Sequence, residues 1–317
     1  MTRSKRDLLS VLDLTVEEVF EVFKLARDIK REFKNYREIP YLRGKSLAMI
    51  FEKPSLRTRT TFELGMYQLG GYAVYFGPND IQMGKRESVA DVAHNLERWF
   101  DLIMIRTFAQ SVVQELAANA YIPVINALTD ELHPCQALTD YFTIWEKRGG
   151  APDALRGFNL TFVGDGFNVA TSLMLLSAII GANFTLACPR NYEPPKSYIT
   201  RARQIARRSG AQITIVHDPV SAVRKAEAVY TDIWASMGKE NEAAERKKHF
   251  APFQVNRALM NKAPKGAWIM HDLPAHRGEE ITSEVMDSPQ SIIFDQSENR
   301  LHLQKGLMVF LDRESGK

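Results

Sequence analysis

Three short segments of this 317-residue chain carry residues whose types and order suit chemistry on an anion and on a carbonyl group. The first is Ser55-Leu-Arg-Thr-Arg59, where Pro54 biases Lys53 toward an extended conformation and Ser55 is a good N-cap residue. Phe62, Met66 and Leu69 follow at helical spacing, and Gly70-Gly71 closes the run. A helix start offers unpaired backbone N–H groups and partial positive charge, which suits an oxyanion. The hydroxyls of Ser55 and Thr58 and the bidentate fork of Arg57 add donors. The same residues also read as an ordinary capped helix with solvated arginines, and local sequence does not separate the two. In the second segment, His133-Pro134-Cys135-Gln136, the histidine stands at a helix start where an imidazole N–H could polarise a carbonyl oxygen. A lone histidine is more often structural than catalytic. In the third, Gly164-Asp165-Gly166, a dinucleotide turn is suggested, but Val169 fills the third glycine position and no acidic residue is placed for a ribose. His271 and His276 lack a convincing third ligand, so neither zinc nor any other cofactor is expected.

The elements that must position these residues alternate. Thr15 and Glu18 have capping-box spacing, and Val19, Phe20, Val22, Phe23 and Ala26 give a helical stripe. Strands are predicted at 46–51, 72–76, 102–106 and 123–126, and a helix over 136–148 ends at Gly149-Gly150. Ala151-Pro152 marks a break, which places a domain boundary between 1–150 and 151–317. In the second half strands are predicted at 159–164, 184–188, 212–216, 228–232, 268–271 and 291–294, with helices between most of them. Strand–helix alternation at this spacing implies two α/β domains, each a parallel sheet covered on both faces. In open parallel sheets ligands bind beyond the carboxyl ends of the strands. The unusual polar residues follow those predicted ends: Ser55 to Arg59, Arg106, His133 to Gln136, Gly164 to Asn168, Asp232 to Gly238 and His271 to Arg277. One cleft built by both domains is the expectation.

Bulk properties exclude other classes. The chain is 45% hydrophobic and 25% charged, the balance of a globular enzyme rather than a disordered or fibrous chain. The net charge of +3 comes from acidic and basic residues mixed along the length, which argues against a nucleic-acid partner. The charged N-terminal stretch has no long apolar run. The most apolar segment, 169–182, is broken by Thr171, Ser172 and Ser177 and is shorter than the roughly 20 residues of a membrane span. Cys135 and Cys188 offer neither a disulfide framework nor a metal spacing. A cytoplasmic protein with no membrane partner is expected.

Taken together, the segments resemble ornithine carbamoyltransferase, of the aspartate/ornithine carbamoyltransferase superfamily, across nearly the whole chain. The motifs that carry the likeness are FEKPSLRTRTTFE at 51–63, QMGKRES at 82–88, MIRTF at 104–108 and HPCQALTDY at 133–141. They continue with VGDGFNVATSL at 163–173, TDIWASMG at 231–238, MHDLPAHRGEE at 270–280 and FDQSENRLHLQK at 294–305. The resemblance implies two doubly wound α/β domains linked by helices, with the C-terminal helix returning to the N-terminal domain. Residues 1–150 would then bind carbamoyl phosphate and 151–317 ornithine. It implies transfer of the carbamoyl group of carbamoyl phosphate to the side-chain amine of L-ornithine, giving citrulline and phosphate in arginine metabolism, the setting of arginine biosynthesis. A homotrimer or a multiple of trimers is implied, with active sites at subunit boundaries and no metal or covalent intermediate.

Roles follow position by position. Ser55, Leu56, Arg57 and Thr58 would hold the phosphate, Leu56 through its backbone where most relatives have Thr. Arg59 would be structural, pairing with Glu63. Gln82 would reach the phosphate site of the neighbouring subunit. Arg106, His133 and Gln136 would surround the carbamoyl group together with Leu273, and Arg300 would approach it from the C-terminal helix. Asn168, Asp232, Ser236 and Met237 would bind the amino-acid head of ornithine, with Ser236-Met237-Gly238 as a lid. One departure matters: the family pattern His-Cys-Leu-Pro reads His271-Asp272-Leu273-Pro274 here. A carboxylate near the attacking amine favours the ammonium form unless it takes the proton itself, so Asp272 joins Arg106 and His133 as a candidate catalytic residue. Asp272 leaves three readings open: a base for ornithine, a mark of another acceptor, or a weakly active relative. Putrescine would leave Asn168 and Asp232 without a carboxylate and α-amine to bind. An N-acylated ornithine would not need a carboxylate facing its capped amine. An aspartate-specific enzyme would have different substrate loops, and a silent scaffold would not need the phosphate-site residues.

Overall fold

A computed structural model describes residues 5–37, 39–235 and 240–315. Chain contacts divide them into two compact units: one runs up to Phe142 and resumes at Glu298, the other is Thr143–Ser297.

The first unit opens with helix α1 (Val16–Lys34), whose Thr15–Glu18 capping box forms as expected. Val19, Val22, Phe23, Ala26 and Ile29 make its buried stripe, with Glu17 and Glu18 at the start and Arg31 and Lys34 at the end matching the helix dipole. Then come β1 (Ser46–Phe51), α2 (Leu56–Gln68), β2 (Tyr72–Phe76), α3 (Val89–Trp99), β3 (Leu102–Arg106), α4 (Gln110–Asn119), β4 (Val124–Leu128) and α5 (Pro134–Lys147). The four strands form a parallel sheet in the order β2-β1-β3-β4. Ile50, Ile103 and Ile105 from the strands pack with Val92, Leu96, Val113 and Leu116 from α3 and α4.

The second unit contains β5 (Asn159–Val163), α6 (Asn168–Ile180), β6 (Asn183–Ala187), α7 (Lys196–Ser209), β7 (Ile213–Val216), α8 (Pro219–Val223) and β8 (Ala228–Thr231). It continues with α9 (Ala243–Phe250), α10 (Arg257–Met260), β9 (Trp268–His271) and α11 (Ser283–Met286), before α12 (Ile293–Glu314). Its five strands are also parallel, in the order β7-β6-β5-β8-β9. Helix α6 is buried along its whole length, which fits its nearly unbroken apolar sequence. On the other face Val163, Val229 and Ile269 meet Val223, Leu259 and Val285.

The residues of α12 from Glu298 onward return to the first unit, as the resemblance implied. Gly306 lies so close to α1 that an added Cβ would come within 2.7 Å of the Ala26 nitrogen, and Gly65 of α2 faces Lys305 and Met308. One predicted strand is corrected. The run 291–294 is not a strand: Ser291 makes a single parallel bridge to Ile269, and the chain turns into α12 at Ile293. Its four apolar-rich residues fit a short strand as well as a helix start, and only the long amphipathic segment after them distinguishes the two.

In both sheets the strand order reverses at one place, between β1 and β3 and between β5 and β8. Such reversals open a crevice at the carboxyl ends of the strands, because the flanking connections leave in opposite directions. Arg106 ends β3, the Lys53–Ser55 turn follows β1, Gly164 follows β5 and Asp232 follows β8.

Candidate active site

In the first unit a polar cluster gathers at the reversal. Ser55 caps α2, its hydroxyl accepting the Thr58 N–H at 3.2 Å. The Leu56 side chain is 78% exposed, so that this residue faces the helix start with its backbone alone. Thr58 is buried, and its hydroxyl accepts from Arg300 Nη2 at 3.3 Å. Arg300 Nη1 donates to the side-chain oxygen Oε1 of Gln136, and Gln136 Nε2 donates to Asp140 at 2.7 Å. With its amide turned to satisfy both ends, Gln304 accepts from Arg300 Nη2 at 3.0 Å and donates to Thr61 at 2.5 Å. The guanidinium from α12 is therefore fixed against the first turns of α2 and α5.

His133, just before α5, is buried. Burial, together with the positive charges of Arg300, Arg106 and Arg57, holds its pKa well below the ordinary histidine value. The ring is uncharged at neutral pH, and an uncharged imidazole carries one N–H. Cys135 is buried with its thiol pushed up to about 12 by that burial, so it is no nucleophile. Arg59 pairs with Glu63 at 3.3 Å and lies over the Tyr75 ring at 3.9 Å, the structural part expected of it. Gln82 stands apart, exposed and with φ at +50°, on the loop after β2.

A second cluster stands at the ends of β8 and β9. Asp232, His271 and Asp272 bring their ligand atoms within 4.8 Å of one another, a spacing that suits a cation, whether a metal ion or an ammonium group. His276 has a similar relation to Glu279 and Glu280, so around each histidine the structure gathers the third potential ligand that the sequence did not convincingly offer. Burial and the facing Asp272 carboxylate raise Asp232 well above the usual carboxylate range, although its oxygen accepts the Ile233 N–H at 2.7 Å. His271 is fully enclosed. Burial disfavours its cation, but Asp272 and Glu280 outweigh burial and bring its pKa up to about 9. Nε2 lies 3.1 Å from Glu280, and Nδ1 lies 2.9 Å from the Leu273 nitrogen, whose N–H it accepts only while the ring is neutral. Leu273, at φ +60°, is thereby held in the left-handed region that a leucine rarely adopts. Asn168 opens α6 and is buried, its side-chain oxygen accepting the Val169 N–H at 2.8 Å. The ends of β5 and β8 adjoin: a Cβ on Gly164 would lie 3.9 Å from the Asp232 carbonyl oxygen. Ser236 and Met237, expected to contact the acceptor, lie outside the described residues.

Several members were not named from the sequence. Gln304 and Asp140 fix the Arg300–Gln136 pair, and Glu280 orients His271. Glu280 sits inside the 270–280 motif, where an acid nine residues after a histidine was the available signal. Gln304 and Asp140 each lie four residues along a helix from a named partner, the spacing of side chains on one face.

Comparison with known proteins places these clusters in context. Residues 6–146 match the family model for the aspartate/ornithine carbamoyltransferase carbamoyl-P binding domain, and residues 156–311 match that for the Asp/Orn binding domain. The ornithine carbamoyltransferase of Thermococcus kodakarensis is 50% identical over 306 residues, covering 96% of each chain. A protein of Pyrococcus furiosus described as ornithine carbamoyltransferase, anabolic, is 48% identical with the same coverage. The solved ornithine carbamoyltransferase structure from Pyrococcus furiosus superposes with a TM-score of 0.92 over 97% of both chains, and that from Thermus thermophilus with 0.86 at 40% identity. With both halves matched in order and an arginine-lined helix terminus in one unit, this chain belongs to the aspartate/ornithine carbamoyltransferase family.

Proposed function

We propose that the chain transfers the carbamoyl group of carbamoyl phosphate to the side-chain amine of L-ornithine, releasing L-citrulline and phosphate in arginine biosynthesis. The observation that carries this reading is the uncharged, buried His133 among Arg57, Arg106 and Arg300, beside the capped start of α2. Such a group serves a carbonyl attached to a phosphate. The neutral amine nitrogen attacks the carbonyl carbon, and negative charge grows on the carbonyl oxygen, where the His133 N–H, Arg106 and the Thr58 hydroxyl act as donors. The bond from carbon to the phosphate oxygen then breaks. Arg57, Ser55 and the N–H groups at the start of α2, that of Leu56 included, take up the charge of the departing phosphate. Gln136, Leu273 and Arg300 orient the carbamoyl group, and little beyond positioning and charge stabilisation is needed.

In the second unit, Asn168, Asp232, Ser236 and Met237 hold the amino-acid head, and Asp272 takes the proton that the amine loses. The Asp232–His271–Asp272 spacing supports an amine-bearing substrate, and the names of the relatives favour ornithine over aspartate. The protein works in the cytoplasm, a reading supported by two buried free thiols. It assembles as a homotrimer or a multiple of trimers, in which Gln82 serves the phosphate site of the neighbouring subunit. Incubation with carbamoyl phosphate and, separately, ornithine, putrescine and N-acetylornithine, followed by assay of the ureido product, tests the acceptor. Citrulline from ornithine is the expected outcome; its absence at every pH tried would sink the proposal.

A further inference from the structure

We propose that Arg246 is a positioning residue for the acceptor's head group: its buried ion pair with Asp165 sets the spacing between the strand end that leads to Asn168 and the strand end that carries Asp232. The inference rests on the reading of an amino-acid acceptor given above.

Arg246 belongs to α9 and is only 4% exposed. Its Nη1 donates both to Asp165 Oδ2 at 2.6 Å and to the Trp234 carbonyl oxygen at 2.9 Å, while Nε donates to Glu242 at 2.8 Å. Asp165 lies in the turn after β5, three residues before Asn168. Trp234 lies two residues after Asp232. One guanidinium thus grips both arms that carry the head-group residues, and it does so from the helix that follows the 236–239 segment. Both of those bonds leave Nη1, whose two N–H directions are fixed by the planar guanidinium, while Nε is turned to Glu242.

The surroundings leave the clamp little freedom. The guanidinium lies 5.0 Å from the Tyr192 ring centroid, Tyr192 packs edge-on against Phe250, and Trp234 stacks on Phe250. Gly166, next to Asp165, donates to the Tyr192 carbonyl at 2.8 Å, and a Cβ there would meet Tyr192 and Pro194 at 2.5 Å. The turn before Asn168 is therefore pinned from two sides, by the Tyr192–Pro194 backbone and by Arg246. A buried charge pair with this many partners is costly to assemble, and α9 could be held as well by apolar packing. What the pair adds over apolar packing is a defined distance between two chain segments.

The test compares Arg246→Lys, which keeps the charge but loses the fork, and Asp165→Asn, which keeps the shape but loses the charge, with Glu242→Gln as a control at the exposed partner. Both clamp variants are expected to raise KM for ornithine about tenfold or more, while kcat and the affinity for carbamoyl phosphate stay within about twofold. The control should leave KM alone. A lowered melting temperature with an unchanged ornithine KM in the folded protein would make the pair purely structural and overturn the proposal. Calorimetric titration of L-norvaline, which has the same head but no side-chain amine, separates this failure from that of the acceptor reading. If the native protein makes no citrulline yet binds norvaline more tightly than Arg246→Lys does, the clamp stands and ornithine does not. If the native protein neither makes citrulline nor binds norvaline, both readings fall.

Discussion

Asp272 shows how one side chain resets the titration of its neighbours. Burial of the site first, and then the Asp272 carboxylate, keep Asp232 protonated to a higher pH than an ordinary aspartate. If Asp232 must be ionised to hold the ammonium of the amino-acid head, kcat/KM rises with pH through that raised value. Removing one carboxylate removes the like-charge repulsion, so Asp232 ionises earlier. In Asp272→Cys the acid limb of the kcat/KM profile should therefore move to lower pH, by about one unit or more. An identical profile and rate in the two proteins would leave Asp272 without a catalytic part. The substitution itself was legible in the sequence, because His271-Asp272-Leu273-Pro274 departs from the family's pattern. So was the local Arg59–Glu63 pair, which lies four residues apart on one helix. The uncharged state of His133 was not legible. It follows first from burial and then from Arg300, Arg106 and Arg57, which come from three distant segments.

At the scale of elements, β1, β2, β3 and β9 have the bounds that the sequence predicts, and the other strands are displaced by one or two residues at one or both ends. Apolar, β-branched runs closed by polar turn residues make those signals local. The run 291–294 misled because its pairing stops after one bridge, and the helix that follows is stabilised by packing that no local pattern reveals. That packing makes its own prediction. Gly306 of α12 faces the backbone of Ala26 in α1, so a methyl group at Gly306 has nowhere to go. Alanine normally stabilises a helix interior over glycine by about 0.5–1 kcal/mol. Here the forced separation of two backbones should outweigh that gain, for a net destabilisation of roughly 1–3 kcal/mol. Gly65→Ala is the matched comparison, since its new methyl would meet side chains and no backbone, those of Lys305 and Met308 at 3.3 Å and Leu301 at 3.8 Å. Thermal unfolding should show Gly306→Ala melting several degrees lower and Gly65→Ala near the native protein. Equal melting temperatures for the two would refute close backbone packing as the anchor of α12. Arg300 rides on that helix, so the Gly306 variant should also bind carbamoyl phosphate less tightly.

For the whole molecule, strand alternation was enough to predict two parallel sheets, but not the strand order that locates the reversals. Long-range pairing sets that order, and a one-dimensional pattern does not encode it. The surface has the same character. Strand β2 is an edge of its sheet, and Tyr72 on it and Tyr67 on α2 are 70% and 75% exposed, with Leu64 beside them. Edge strands bearing exposed aromatic residues are usually covered, and a cyclic homo-oligomer covers them with another copy. If the proposed trimer forms and Gln82 completes a neighbour's site, two inactive variants should rescue each other. His133→Ala disables the subunit's own site, whereas Gln82→Ala disables the next one. A trimer holding both kinds of subunit then has one site with neither substitution. Unfolding and refolding the two variants together in equal amounts makes about three-quarters of trimers mixed, so activity should recover to about a quarter of the native level. Each variant refolded alone should stay at its own low rate. Recovery no greater than the average of the two would mean that Gln82 serves its own subunit or none. Tyr72→Asp, placed on the edge, should lower the mass measured by light scattering from about three chains to one and abolish the rescue.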